Sequence, residues 1–408
     1  MTTAHPIHHA RSAHPHRPAR AARPTRWPAL AAGSAVLIVL GLRLAALRAD
    51  FAENRVLSHA AAPPPPPGLP YADLHDDALL WNRNLLSRHA RGHADLPRLR
   101  AGGVGLQVFS IVTQSPYGIN IRANRADAWD LVTALFVAQG RPVATWFSRR
   151  ARALDRARQL EDAAELSKGR LVVARTREGL GAALAAPPET RPIAGVLSIE
   201  GGAPLEGDPG NVRALFDAGV RMISFSHFVD TDLGGSAHGE ARGGLTPLGR
   251  AVLAEMSKYG IILDLAHASP ALIDDALKEW KGPLMVSHTG VRGTCDNQRN
   301  LSDDQLRALS ARGALIGIGF WSVATCGDDA DAIARAAAHA VKVAGPRAVA
   351  LGSDFDGAVT APFDATGFPL IAAALARQGL SADEVSLVMG GNARRFMLEH
   401  LPSATFLR

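Results

Sequence analysis

Ile261-Ile262-Leu263-Asp264-Leu265-Ala266-His267 is followed, across a helix-like stretch, by Leu284-Met285-Val286-Ser287-His288. Each is a short apolar run of the kind that forms a strand buried on both faces, and each ends in a histidine. Between them Ser269 precedes Pro270, an N-cap followed by proline at the first helical position. The unit reads as strand, helix, strand, and such crossovers join parallel neighbours.

The same unit recurs on both sides. Strands are expected at Tyr71 to Asp77, Val104 to Val112, Gly195 to Glu200, Val220 to Ser226, Ile261 to Ala266, Leu284 to Ser287, Ala314 to Phe320 and Val349 to Ser353, eight in all. Helix caps support the pattern independently: Thr246 with Pro247, capping-box spacings at Ser302/Gln305 and Ser381/Glu384, and Gly260 and Gly313 where left-handed C-terminal caps are wanted. The Arg- and Ala-rich stretch Ala123 to Ala186 reads as helices inserted between the second and third strands. Eight βα repeats predict an α/β fold of the (β/α)8 TIM-barrel type over residues 71–408.

Six of the eight strands end in a group that can bind metal or move a proton. They are Asp73-Leu74-His75-Asp76-Asp77, Ser198-Ile199-Glu200-Gly201-Gly202, Ser224-Phe225-Ser226-His227, the ends at His267 and His288, and Gly352-Ser353-Asp354-Phe355-Asp356-Gly357. In this fold the C-terminal strand ends form one active-site face, so the groups converge. His75 and Asp77 share one side of a strand, but so does Asp73, and alternation alone does not choose between the acids. Three imidazoles with two carboxylates suit zinc or a similar first-row ion, and a shared carboxylate can hold two ions about 3.5 to 4 Å apart. Taken singly these motifs are weak. A lone His-x-Asp is usually incidental, a Ser-His is more often a hydrogen-bonded strand end, and a lone Asp caps loops. Their joint occurrence at one end of six strands is what argues for a site.

From Tyr71 to Met397 these motifs keep the order and spacing of a known family: Asp-x-His-x-Asp, Gly-His-x-Asp-Leu-Pro-x-Leu-Arg-x-Gly-Gly at 92 to 103, Ser-Ile-Glu-Gly-Gly, Asp-Leu-Ala-His, Ser-His, Arg-Asn and Gly-Ser-Asp-Phe-Asp-Gly. The chain resembles the membrane (renal-type) dipeptidases of the amidohydrolase superfamily. The segment His227 to Gly239, ending Gly-Gly-Ser-Ala-His-Gly, resembles the bacterial branch. The resemblance implies a zinc-dependent dipeptidase with two Zn2+ ions, His75 and Asp77 on one, His267 and His288 on the other, and Glu200 bridging. It implies Asp354 as the acid/base group, His227 as support for the oxyanion, Arg299 as the partner of the substrate's terminal carboxylate, and Cys295 with Cys326 as a disulfide. A hydroxide bridging the ions would attack the peptide carbonyl of dipeptides, including those with a C-terminal D-residue. One departure bears on substrate: Trp321-Ser322-Val323-Ala324-Thr325-Cys326 lacks the tyrosine that animal members carry before the second cysteine.

Two other readings stay open: a metal-dependent N-acyl-amino-acid deacylase or lactonase on the same barrel, and an inactive envelope binding or scaffold protein. Nucleic acid is excluded as a partner, because the net charge of +6 equals the seven Arg less one Asp of residues 1–50 and the rest is neutral. Residues 1–27 read as a disordered basic arm and 28–48 as a transmembrane or signal segment, with an apolar run from Ala29 broken only by Arg43. Residues 49–70 read as a linker stiffened by Pro63 to Pro67. Five Arg before the apolar run place the N-terminus inside and the catalytic domain periplasmic or extracellular, anchored to the cytoplasmic membrane or, after cleavage, secreted. A homodimer is left open. The C-terminus lacks the hydrophobic tail of the lipid-anchored animal enzymes.

Overall fold

The computed structural model describes residues 1–2, 40–45, 48, 54–58, 62–65, 68 and 70–406. Eight parallel strands run round a barrel in chain order: β1 (Tyr71–Asp76), β2 (Val104–Val112), β4 (Ile193–Glu200), β5 (Val220–Ser224), β6 (Ile262–Asp264), β7 (Leu284–Thr289), β8 (Leu315–Ile318) and β9 (Val349–Leu351). The outlying β3 (Leu171–Val173) pairs with the start of β4. Closure between β9 and β1 is short: Asp76 bridges Phe355, the Asp354 N–H donates to the His75 carbonyl at 3.2 Å, and the Asp77 N–H donates to the Phe355 carbonyl at 2.7 Å. The barrel is thus nearly closed, and its seam runs through residues of the candidate site.

The expected caps are present. The hydroxyls of Thr246 and Ser269 accept the N–H groups of Gly249 and Leu272, both capping boxes form, and Gly260 and Gly313 lie in the left-handed region. Two expectations need correction. β5, β8, β6 and β9 end two residues early, at Ser224, Ile318, Asp264 and Leu351. Beyond the latter two, His267 (φ 62°), Asp354 (61°) and Asp356 (64°) adopt left-handed backbone that leaves the sheet. The insertion is not all helix either. Besides helices such as Arg149–Leu166 and Arg177–Ala185 it holds β3, whose Leu-Val-Val hydrogen-bonds the part of β4 that lies before its pairing with β5 begins at Leu197.

One apolar cluster takes a residue or two from every barrel strand, including Leu74, Val108, Val196, Met222, Ile262, Met285, Leu315 and Ala350. Side chains from all eight strands can meet only inside the barrel, so this cluster plugs it; Phe396 and Met397 of the helix Asn392–His400 join it. A second cluster, with Phe109, Leu197, Ile223, Leu263, Val286, Ile316 and Leu351, fills the layer between sheet and helices. With the interior filled by apolar side chains, polar groups gather beyond the C-terminal strand ends.

Among the described residues no helix is long and apolar enough to cross a membrane. The expected anchor lies mostly outside those residues, as does the basic arm. Residues 40–45 are helical.

Candidate metal centre and substrate pocket

Glu200, the last residue of β4, is 4 % exposed and stands among four imidazoles. Its two oxygens face different partners. Oε2 lies 3.5 Å from His75 Nε2 and 3.7 Å from His227 Nε2, whereas Oε1 lies 3.1 Å from His267 Nε2 and 3.4 Å from His288 Nε2. On the Oε2 side, His75 Nε2 is 3.6 Å from Asp77 Oδ2 and 3.9 Å from Asp354 Oδ1. Three overlapping triads result, each with donor atoms within 4.8 Å of one another: His75/Glu200/His288, Glu200/His227/His267 and His75/Asp77/Asp354. The structure therefore brings together the five expected ligands, and it also brings His227 and Asp354 within reach of the same centre.

The donors fit a cation. His75 Nε2, Asp77 Oδ1 and Glu200 Oε1 are buried without a hydrogen-bond partner among the described residues. His267 Nε2 and His288 Nε2 face each other at 3.0 Å. Burial, reinforced by the Arg299 charge, pushes both of these imidazoles well below their ordinary pKa, and the neutral ring is the form that binds metal. Burial opposes protonation of His75 too, but Glu200 and Asp77 overcome it and draw positive charge to that position. Burial also disfavours the Glu200 carboxylate, yet the charges of His227 and His75 hold it well below the carboxylate range. For Asp354 burial prevails, helped by Asp77 and Glu200, and its carboxyl is raised well above that range. Two acids beside one centre are thereby driven in opposite directions.

The geometry separates acids that strand alternation left equal. Asp73 accepts the Ser353 N–H and hydroxyl, both at 2.7 Å, and the Gln107 amide at 3.1 Å, so it ties β9 to β1 and has no oxygen free for the centre. Asp356 is fully buried against Arg83 at 2.8 Å and the N–H groups of His93 and Ala94 at 2.8 and 3.1 Å. Its own N–H donates to His93 Nδ1 at 2.9 Å. His93 and Ala94, from the segment at 92 to 103, thus brace the loop that carries Asp354.

The centre opens into a cavity of about 700 Å³ lined by Asp77, His227, Arg299 and Asp354, with apolar walls from Leu80, Trp81, Leu131, Leu135, Phe228 and Trp321. Leu42 and Ala45 of the N-terminal helix also line it. His227 Nδ1 is 3.3 Å from the Gln114 carbonyl, which fixes Nδ1 as the protonated nitrogen and turns Nε2 toward Glu200. Arg299 is 5 % exposed, its Nη2 donates to the His288 carbonyl at 2.9 Å, and its guanidinium lies 5.6 Å from the Trp321 ring centroid. Burial lowers its pKa to about 10, so it stays charged at neutral pH. Cys295 and Cys326 form a disulfide.

One cavity residue carried no role in the sequence reading. His238 is 1 % exposed, stacks on Phe228 at 4.7 Å and gives Nδ1 to the Ile121 carbonyl at 2.9 Å, leaving Nε2 without a hydrogen-bond partner among the described residues. Burial and the Arg299 charge lower its pKa to about 3. Its signal was the Gly-Gly-Ser-Ala-His-Gly segment, which contains a histidine but no strand end to point at the bowl.

Several known proteins are similar to this chain. The dipeptidase aclJ of Aspergillus oryzae is 34 % identical over 221 residues, which is 51 % of this chain and about half (52 %) of that protein. An uncharacterized dipeptidase of Schizosaccharomyces pombe, C3A11.10c, is 27 % identical over 349 residues, 80 % of each chain. Among solved structures, the metallo-peptidase described as dipeptidase AC, of family M19, superposes with a TM-score of 0.68 at 25 % identity, covering 82 % of this chain and 99 % of that one. A Rhodobacter sphaeroides metallo-peptidase liganded with a phosphinate mimic of L-Ala-D-Ala shares the fold at a TM-score of 0.66 and 24 % identity, over the same fractions. Relatives thus include fungal proteins, and a bacterial protein shares the fold. The family model for membrane dipeptidases matches residues 68–402, nearly the whole barrel with its site, and the chain belongs to that family, peptidase family M19.

Proposed function

We propose that the protein is a zinc-dependent dipeptidase with two ions in the bowl, one held by His75 and Asp77, the other by His267 and His288, and both by Glu200. The observation that carries this reading is the division of the Glu200 carboxylate, Oε2 toward His75 and Oε1 toward His267 and His288. A carboxylate with His75 near one oxygen and His267 and His288 near the other is placed to be shared between two ions. Imidazole and carboxylate donors suit zinc. Two such ions, when bound, supply an activated water and polarise the scissile carbonyl.

The chain's own residues supply the rest. Arg299 binds the substrate's free α-carboxylate through its planar fork, against Trp321, which restricts substrates to short peptides ending at that subsite. Asp354 has its side chain 13 % exposed and its Oδ1 3.9 Å from His75 Nε2, a position from which it can take a proton from the attacking water and pass it to the leaving nitrogen. His227 has Nδ1–H committed to the Gln114 carbonyl, so its Nε2 donates to a developing oxyanion only as imidazolium. The apolar walls exclude water and accept the side chains of the dipeptide.

We also place the enzyme outside the cytoplasmic membrane, in the bacterial manner, on the apolar run that starts at Ala29 and on a disulfide suited to an oxidising compartment. The deciding experiment assays L,L and L,D dipeptides and N-acyl-amino acids with and without chelator, alongside elemental analysis. Dipeptide hydrolysis lost on chelation and restored by zinc is expected; hydrolysis of the acyl compounds alone would refute the reading.

A further inference from the structure

The Arg-Asn pair at 299–300 contains a residue to which the chemistry gives no task. Asn300 is 2 % exposed. Its Oδ1 accepts the Gly290 N–H at 3.1 Å, and its Nδ2 donates to the carbonyls of Cys295 at 2.7 Å and Ala324 at 3.0 Å. One amide thus ties three segments: the exit of β7, the loop that carries Arg299, and the turn after β8 that carries Trp321. The packing is tight, since a Cβ on Gly290 would meet the Ala324 carbonyl oxygen at 2.0 Å.

The same loop and turn are joined twice more. The Cys295–Cys326 disulfide links them covalently. Asn297 Nδ2 donates to the Val323 carbonyl at 2.8 Å, while Asn297 Oδ1 accepts the Arg299 N–H at 2.9 Å. Between these ties stand the guanidinium of Arg299 and the ring of Trp321, both in the cavity wall. A guanidinium pairs with a carboxylate through two parallel hydrogen bonds only when the two planes align, so the angle of this loop sets the strength of that pairing.

We propose that Asn300, braced by the Cys295–Cys326 disulfide, is a positioning residue of the carboxylate subsite, holding the Arg299 loop against the Trp321 turn at the angle a free α-carboxylate requires. This rests on the dipeptidase reading. Replacing Asn300 by Ala leaves two buried carbonyls and one N–H unpaired, and the loop relaxes away from that angle.

The test compares alanyl-alanine with alanyl-alaninamide, which has no carboxylate, in metal-loaded wild type, Asn300→Ala and the double variant Cys295→Ser/Cys326→Ser. In Asn300→Ala, KM for the dipeptide should rise about tenfold, as expected for one weakened charge-assisted hydrogen bond, with kcat changing less than about threefold. Kinetics on the amide should move far less, and the double variant should shift in the same direction. An equal loss on both substrates would mean a general structural role, and an unchanged ratio in a metal-loaded variant would mean none; either overturns the proposal. If Asn300→Ala does not fold, wild type reduced and alkylated supplies the same ratio. If wild type turns over the dipeptide but not the amide, calorimetric binding of N-acetylalanine against its amide supplies the comparison; if it hydrolyses neither substrate, the dipeptidase reading fails, and the same binding comparison decides the subsite. Carboxylate-selective binding that is lost in the variant supports the proposal; binding unchanged by the substitution, or absent in wild type, refutes it.

Discussion

The two ends of the barrel are built on opposite rules. Inside, Val196, Met222, Ile262 and Met285 have no polar atom to satisfy and lie wholly out of solvent. At the C-terminal mouth, His75, Asp77, Glu200 and His267 are almost as buried, yet each keeps a polar atom without a hydrogen-bond partner among the described residues. His267, Asp354 and Asp356 there also adopt left-handed backbone that non-glycine residues rarely take. Burial stabilises the interior and costs stability at the mouth. The difference teaches that the interior holds the mouth in a conformation it would not keep alone, and that the mouth keeps unpaired ligand atoms, such as His75 Nε2 and Glu200 Oε1, where a metal could take them up.

The sharpest way to break this comparison is at Glu200. Glu200→Gln removes the charge that faces both imidazole groups, so metal at both positions should fall together and hydrolysis should drop by about 10⁴ or more, beyond the loss of an acid/base group alone. Elemental analysis of purified protein reads the outcome. Retention of one full equivalent of metal would contradict the division of the carboxylate between two ions.

Asp354 comes next. Asp354→Asn should keep both metals and lose about 10² to 10⁴ in kcat, the contribution of a positioned acid/base group. If the variant also loses metal, Asp354 acts as a ligand in the His75/Asp77/Asp354 triad rather than as a proton carrier.

Much of this was legible in the sequence because it is carried by local signals. The barrel strands are apolar runs, the helices have side-chain caps, and the candidate ligands sit at run ends. What was not legible depends on contacts between distant residues. Whether Asp73 or Asp77 faces the centre is decided by Ser353, 280 residues away, which takes up the Asp73 oxygens. The early ends of β6 and β9 come from left-handed turns at non-glycine residues, which no propensity favours. β3 is three residues long and owes its existence to a free edge of β4. His238 joins the cavity through a loop, outside any strand period.

In the interior the expected effect is on stability alone. Met285 is fully buried, so Met285→Ala should cost about 2 to 5 kcal/mol through lost burial and a residual cavity. Below its melting temperature the variant should keep the metal content and KM of the wild type. A changed KM with unchanged stability would mean that interior and mouth are not separable as drawn.

The smallest effect is expected at Asp356, which belongs to the mouth by position and to the interior by role. It lies two residues from Asp354 on the same loop, but Arg83 and the N–H groups of His93 and Ala94 take up its oxygens. Burial disfavours its charge, yet Arg83 and His93 overcome this and hold its pKa below the ordinary carboxylate value. Asp356→Asn keeps the shape and removes the charge beside a buried guanidinium, for a cost of about 2 kcal/mol. Because the folded pKa is depressed, this contribution is fully present above the unfolded value, about 3.9, and is lost as pH falls through the lower folded value. The gap between the urea midpoints of wild type and Asp356→Asn should therefore persist from pH 5 to 8 and narrow below about pH 4. Metal content should be unchanged at neutral pH, and kcat should fall far less than in Asp354→Asn. A gap independent of pH would remove the charge of Asp356 from the account and leave its hydrogen bonds alone as the brace of the Asp354 loop.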